Sequence, residues 1–590
     1  MFATRTLFKD CWRGARRPDA GRRLSSSRQH LQARVLARIL RRPPSSTFTR
    51  AASTQDGSNI IRGLFPDEPV PAVTFHEYLW SRSHKWADAT AVTCGVSGRK
   101  VTYKDLKSRC TAFGGALRRD LGLKTDDRMA VLLPNCAEFI VASLGAMEAG
   151  VIPSPMNPMY TPDEVAHQLK DSGASAAVTL VQFLPTIMKA AKLAGMERLK
   201  IVVLQKGEDP LPASVFTMTD LLAAGDPSAV NDVKRTPDDI AMLPYSSGTT
   251  GRAKGVMLTN RNITANLQAL DKKKDHIERT ENWTEVIPLI LPLFHIYGFA
   301  IAGLTLYTGG EIISLPKFEE ETFLKSLEKA TILYVAPPLV IYLGASPRVT
   351  SATVKTLKSV VSGAAPCASS DILRVAKKMP QALYKQGYGL TETSPLVCST
   401  PNDVENHSSV GPPALNTYVK VVDVESGKAL GPDQPGEIVV KGPQVMKGYW
   451  KNQKATDEVL KDGWFYTGDI GYYDSDGYFY ITDRLKELIK VKGFQVAPAE
   501  LEGILRSHPD VMDAGVIGAP DPINGEKPVA FVALKPGTRK DPEFLKTFLQ
   551  EKVAKFKRVN DFIFVDSIPK SAAGKILRKE LRRIVNERQS

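Results

Sequence analysis

Residues 246–254 read Ser-Ser-Gly-Thr-Thr-Gly-Arg-Ala-Lys, a run so poor in side-chain bulk that it wraps a ligand rather than building a core. Gly248 and Gly251 let the backbone turn its N–H groups inward as an anion-binding nest. The hydroxyls of Ser246, Ser247, Thr249 and Thr250 add donors, and Lys254 brings a compact positive charge to phosphate oxygens. A nucleoside triphosphate meets that description. A Walker A loop does not, because it needs Gly-x-x-x-x-Gly-Lys followed at once by Ser or Thr and a helix. Here the glycines are three apart, and Lys254 leads through Gly255 into the strand-like Val256, Met257 and Leu258.

Outward from the loop, 590 residues hold at least two domains, and 43% apolar with 24% charged residues is a globular composition. The net charge of +15 invites a nucleic-acid reading, but residues 1–50 carry twelve Arg and one Lys against two Asp, or +11, leaving only +4 for the rest. Charge confined to a tail gives no basic groove on the body, so no nucleic-acid partner is expected. The tail is rich in Arg and Ser, and Leu31, Val35, Leu36, Ile39 and Leu40 fall on one helical face. That is the pattern of a mitochondrial presequence over residues 1–55, with the matrix as destination and the cytoplasm as the alternative. The chain ends Arg588-Gln589-Ser590 and lacks a Ser-Lys-Leu peroxisomal address. Six scattered cysteines without a Cys-x-x-Cys pair predict reduced thiols, with neither a disulfide framework nor a zinc site. Residues 286–310 carry no charge, yet Pro288, Pro292 and His295 interrupt them; buried strand, loop and helix are expected there rather than a membrane span.

Short apolar runs alternate with helical stretches: strand 129–133, helix 137–149, then 176–181, 184–194, 201–204, and 357–361 ahead of the loop 362–366. Such alternation predicts layered α/β sheets. Near residue 483 the texture changes, and about a hundred residues with their own pattern follow: helix 498–506, strands 514–517 and 529–534, helix 542–554. A large domain over residues 56–482 and a small α+β domain over 483–590 are expected.

Four further segments place polar groups where chemistry would want them. Gln386-Gly387-Tyr388-Gly389-Leu390-Thr391-Glu392 follows a strand; Asp469 sits on the turn Tyr466-Thr467-Gly468-Asp469; Asp483-Arg484 lies at the domain joint; and Lys575 ends the small-residue loop Ser571-Ala572-Ala573-Gly574-Lys575. In this order, with 246–254, these segments resemble the adenylate-forming superfamily over roughly residues 70–585. The branch of 4-coumarate-CoA ligases and firefly-type luciferases is the nearest, through Leu293-Phe294-His295-Ile296-Tyr297 and the run from Gly493 to Glu502.

The resemblance implies a large AMP-binding domain and a small mobile C-terminal domain. It implies an ATP-dependent acid-CoA ligase that makes an acyl-adenylate, releases pyrophosphate and passes the acyl group to coenzyme A. Residues 246–254 would hold the β- and γ-phosphates; Lys575 would bridge substrate carboxylate and α-phosphate; Thr391 would bind phosphate and Glu392 Mg²⁺. Gln386, Gly387 and Tyr388 would line the adenine site, while Asp469 accepts from the ribose hydroxyls with Arg484 nearby. Lys486 would be the hinge that exchanges the Lys575 face for one bearing Lys490, Lys492, Gly493 and Gln495, with Lys317 as a further coenzyme contact. His295, Tyr297, Gly363 and Ala364 would shape the acid pocket.

The plant ligases place small polar residues where this chain has Phe299, Ala300 and Ile301. A site without a hydrogen-bonding partner cannot select strongly for a hydroxyl. A medium- or long-chain fatty acid or an arylalkanoate is therefore expected, the alternatives being a hydroxycinnamate or luciferase-like monooxygenase chemistry, which the shared motifs do not separate.

Overall fold

The computed structural model describes residues 59–205, 211–212, 214–246, 253–272, 276–402, 406–491, 494–521, 525–550, 552–571 and 574–589; the presequence expectation lies outside them. Strand Arg128–Leu132 shows how the large domain is built. Its Met129, Ala130, Val131 and Leu132 are all fully buried, as a parallel strand covered on both faces requires. It pairs in parallel with Ile152–Pro155 on one side and Ala174–Thr179 on the other, and Lys200–Val203 and Val215–Thr217 complete five strands.

A second layer runs Val286–Leu289, Glu311–Ser314 and Thr90–Cys94 in parallel, closed by antiparallel Lys100–Thr102. A third runs Ile332–Val335, Ser359–Ser362 and Leu383–Gly389 in parallel, then turns back on Leu396–Ser399. The uncharged segment becomes strand Val286–Leu289 and buried helix Ile296–Tyr307. Among the described residues no helix is long and apolar enough to cross a membrane.

An antiparallel sheet built on Trp464–Tyr473 carries Asp469 opposite Arg484 of strand Phe479–Arg484. Beyond it, the small C-terminal domain packs helices on a sheet of Phe494–Val496, Ile489–Val491, Gly525–Leu534, Val511–Asp521 and, in parallel, Asp561–Phe564. The two strands expected at 514–517 and 529–534 are longer arms of one antiparallel pair. The helix expected to reach residue 554 ends at Gln550, with a 3-10 turn Lys555–Lys557 beyond. The layered α/β architecture with a small second domain is the one the alternating pattern predicts.

Candidate active site

Strands Tyr245–Ser246 and Lys254–Thr259 pair antiparallel, Ser246 opposite Lys254, so the glycine-rich run is the loop of a hairpin. Ser247, Gly248, Thr249, Thr250 and Gly251 lie outside the described residues. Ser246 Oγ donates to Glu392 Oε1 at 2.9 Å, and Lys254 Nζ stands 4.4 Å from the centroid of the Tyr449 ring.

Glu392 lies on a short 3-10 turn, Thr391–Thr393, held by the Met446 N–H donating to its carbonyl and by buried Asn266, whose amide donates to the Thr393 and Leu396 carbonyls. Its Oε1 also accepts from the Tyr449 hydroxyl at 2.9 Å. Oε2 has no donor among the described residues, and neither does the Thr391 hydroxyl have a partner there. A hard cation takes one or two carboxylates plus phosphate oxygens. Among the described residues no group of three His, Cys, Asp or Glu could hold a metal. The fit is therefore to a Mg²⁺ that Glu392 Oε2 would hold together with phosphate oxygens.

On the neighbouring sheet Asp469, 4% exposed, takes the Tyr388 hydroxyl on Oδ2 at 2.7 Å and Arg484 Nε on Oδ1 at 3.0 Å. Each oxygen keeps a lone pair for a further donor. The Asp469 charge raises the Arg484 pKa, and burial followed by that same charge raises the Tyr388 phenol well above its ordinary range, so Arg484 stays charged and Tyr388 protonated. Gly387 borders this group with room for a Cβ. Gln386 is buried, and its Nε2 donates to the His407 carbonyl at 2.7 Å, tying the end of its strand to the His407 loop.

His295 precedes helix Ile296–Tyr307, whose first turn lies directly on the chain before it: a Cβ at Gly298 would come 2.3 Å from the Pro292 carbonyl oxygen. Asn135 pins that approach, donating to the Leu289 and Leu291 carbonyls and accepting from the Leu293 N–H. Burial, with a smaller push from the Lys575 ammonium, pulls the His295 imidazole down to about 4, so it is neutral at physiological pH. Two residues on, the Tyr297 ring stands against Gly363, where an added Cβ would be 3.0 Å from the ring. Ala364 next to it is left-handed, at φ +72°. Tyr297, Ala300 and Ile301 share a helix face by their spacing and Phe299 lies off it, packed on Phe75 at 5.8 Å; Phe299, Ala300 and Ile301 are all buried in the main core.

Lys575 arrives from the C-terminal domain. Its loop is seated on the large domain, since a Cβ on Gly574, at φ +79°, would lie 2.9 Å from Pro338 and 3.2 Å from Ala336. Arg506 reaches across to buried Asp371 at 3.8 Å. Lys575 itself is exposed, so its side chain projects beside these groups instead of being packed among them. Enclosure, then Arg484, lowers its pKa, while Asp469 and Glu392 raise it. Its ammonium has no hydrogen-bond or ion-pair partner among the described residues. Lysine, histidine, carboxylates and arginine thus converge from both domains on one space.

The coenzyme-side expectations are less concentrated. Lys486 is exposed on the 3-10 turn Leu485–Glu487, and Lys490 is exposed on strand Ile489–Val491. Lys492 and Gly493 lie outside the described residues, as does the side chain of Gln495. Lys317, 76% exposed, pairs with Glu319 at 2.8 Å and is not among the groups around Lys575.

Some of the machinery leaves no local signal in the sequence. Tyr449 sits in an unremarkable Gly-Tyr-Trp, and Asn135 and Arg578 act through partners far along the chain. Arg578, three residues after Lys575, is buried and holds Glu487 at 2.7 Å, Glu502, and the Val516 carbonyl at 3.0 Å, tying the final helix to the turn that contains Lys486.

Residues 79–450 match the AMP-binding enzyme family and residues 500–575 the AMP-binding enzyme C-terminal domain; the chain belongs to this family of adenylate-forming enzymes. It is 37% identical over 543 residues to 4-coumarate--CoA ligase 2 of Oryza sativa subsp. japonica, covering 89% of this chain and 94% of that protein. To 4-coumarate--CoA ligase 1 of Solanum tuberosum it is 38% identical over 553 residues, covering 91% and 98%. ATP-bound MatB from Rhodopseudomonas palustris superposes with a TM-score of 0.79 at 30% identity, over 87% of this chain and 99% of that one. The protein is an AMP-forming acid-CoA ligase that uses ATP, Mg²⁺ and coenzyme A.

Proposed function

We propose that the acid carries an apolar alkyl or arylalkyl tail, as a medium- or long-chain fatty acid or an arylalkanoate does. The observation that carries this reading is the apolar character of helix Ile296–Tyr307 on the face that begins at Tyr297, the residue packed on Gly363. Beyond Tyr297 it offers Ala300 and Ile301, and the Tyr297 hydroxyl itself points to the Val361 carbonyl at 3.5 Å. No group on that face would reward a phenolic hydroxyl. A hydroxycinnamate is the second reading, favoured by the 37–38% identity to 4-coumarate-CoA ligases. A panel measuring CoA-dependent AMP release for fatty acids of rising length, arylalkanoates and 4-coumarate decides between them. A higher kcat/KM for 4-coumarate than for its analogue lacking the hydroxyl overturns the first reading.

In the proposed chemistry the attacking carboxylate and the triphosphate are both anionic, and the barrier is largely their repulsion. Lys575 lies between them and neutralises charge as the carboxylate oxygen reaches the α-phosphorus. Lys254 and the loop 246–254 hold the departing pyrophosphate, Thr391 donates to a phosphate oxygen, and Asp469 holds the ribose. Mg²⁺, when bound, offsets phosphate charge. Neutral His295 orients the acid without adding a competing cation. For the thioester step Lys575 must leave, because the thiol approaches the same carbon. Rotation about Lys486 would withdraw it and bring the strand bearing Lys490 to the site. The Arg-rich residues 1–50 support import into the mitochondrial matrix; a fusion of those residues to a fluorescent protein that stays cytoplasmic would end that part of the proposal.

A further inference from the structure

Tyr449 touches two elements of the cleft at once, by different parts of one side chain. Strand Gly448–Tyr449 pairs with Lys254–Thr259, Val256 opposite Tyr449, so the tyrosine is built on the strand that begins at the phosphate-loop lysine. Its backbone is fixed on both sides. The Tyr449 N–H donates to Thr456 Oγ1 at 2.9 Å, and the next residue, Trp450, donates to the Gly255 carbonyl at 2.8 Å. Gly448 stands at φ +147°, and a Cβ there would strike Thr456 at 2.8 Å, which keeps helix Gln453–Val459 close behind. From this fixed base the ring face meets Lys254 Nζ at 4.4 Å, within cation–π range, and the hydroxyl reaches Glu392 Oε1 at 2.9 Å. Ser246, at the other end of the same hairpin loop, gives the second hydrogen bond to that oxygen.

We propose that Tyr449 is a positioning residue for metal-loaded ATP: its ring seats Lys254, and its hydroxyl turns the Glu392 carboxylate so that Oε2 faces the metal. One side chain thereby sets the spacing between the phosphate lysine and the metal carboxylate. Partners that orient a ligating carboxylate are commonly worth 10–100-fold in metal affinity. The two functions are separable, because phenylalanine keeps the ring and loses the hydroxyl, whereas leucine loses both.

Calorimetric titration of the full chain with ATP, once with Mg²⁺ and once with EDTA, tests this. The ratio of the two Kd values is the readout, since a general loss of structure moves both together. Tyr449→Phe should reduce the Mg²⁺-dependent gain in ATP affinity about tenfold, with the EDTA Kd within about twofold. Tyr449→Leu should weaken ATP binding in EDTA as well. Ser246→Ala removes the other donor to Oε1 and should also shrink the Mg²⁺-dependent gain; it decides the matter if the tyrosine variants do not fold. An unchanged ratio in Tyr449→Phe, or in Ser246→Ala, overturns the proposal. Absence of any Mg²⁺ effect in the wild-type protein would instead strike at the Glu392 metal site itself.

Discussion

Replacing His295 by glutamine should make the ligand-free protein less sensitive to acid, and the structure sets the size of the effect. The imidazole falls from 6.5 to about 4, chiefly through burial. The folded protein therefore binds fewer protons than the unfolded chain between those values, and this contribution is complete above pH 6.5 and lost as the pH falls toward 4. By linkage the wild-type protein loses about 1.4 kcal/mol from this one group by pH 5.5 and about 2.6 kcal/mol by pH 4.5, losses that glutamine does not suffer. His295 keeps some solvent contact, so the realised values should be nearer half of these. Urea unfolding of both proteins from pH 7.5 to 4.5, followed through the large-domain transition, gives the difference directly, and acid effects common to both cancel. The gap should widen in favour of the variant as pH falls. A gap that stays constant, or one that closes, would show that His295 titrates normally and that its enclosure against Lys575 is wrong.

Gly574→Ala places a Cβ against Pro338 in a left-handed conformation that costs about 1–2 kcal/mol; adenylation should fall about tenfold, while thioester formation from preformed acyl-adenylate holds within about threefold. Asp371→Asn weakens the Arg506 contact across the domains and should shift the same two half-reactions in the same direction by a smaller factor, measured by pyrophosphate exchange and CoA-dependent AMP release. Arg578→Met leaves Glu487 and Glu502 without their cation; the C-terminal domain should lose about 3–5 kcal/mol, seen as earlier unfolding and faster proteolysis of residues 487–589, and unchanged resistance would refute the clamp.

Much of the fold is legible because burial leaves local patterns. Met129 to Leu132 is apolar without alternation because both faces are covered, and helix 137–149 is apolar nearly all round for the same reason. Glu392, Asp469, Arg484 and Lys575 are legible through small residues and glycines beside single charges. What the sequence hides is long-range pairing. Tyr449 finds Glu392 across 57 positions and Asn135 finds Leu293 across 158, so neither leaves a periodic mark. Gln386 shows the same: its Nε2 finds the His407 carbonyl across 21 positions, a pairing that no local pattern marks. Phe299, off the helix face of Tyr297 and Ile301 by its spacing, packs instead on the distant Phe75.

In the proposed mechanism Lys575, delivered by the small domain beside Glu392, Asp469 and His295, is needed for adenylation and not for thioester formation. Acid-dependent ATP–pyrophosphate exchange in Lys575→Ala, measured beside conversion of a preformed acyl-adenylate to acyl-CoA by the same variant, tests it most directly. Exchange should be lost and the thioester step retained; normal exchange, or equal loss of both steps, would refute the role given to Lys575.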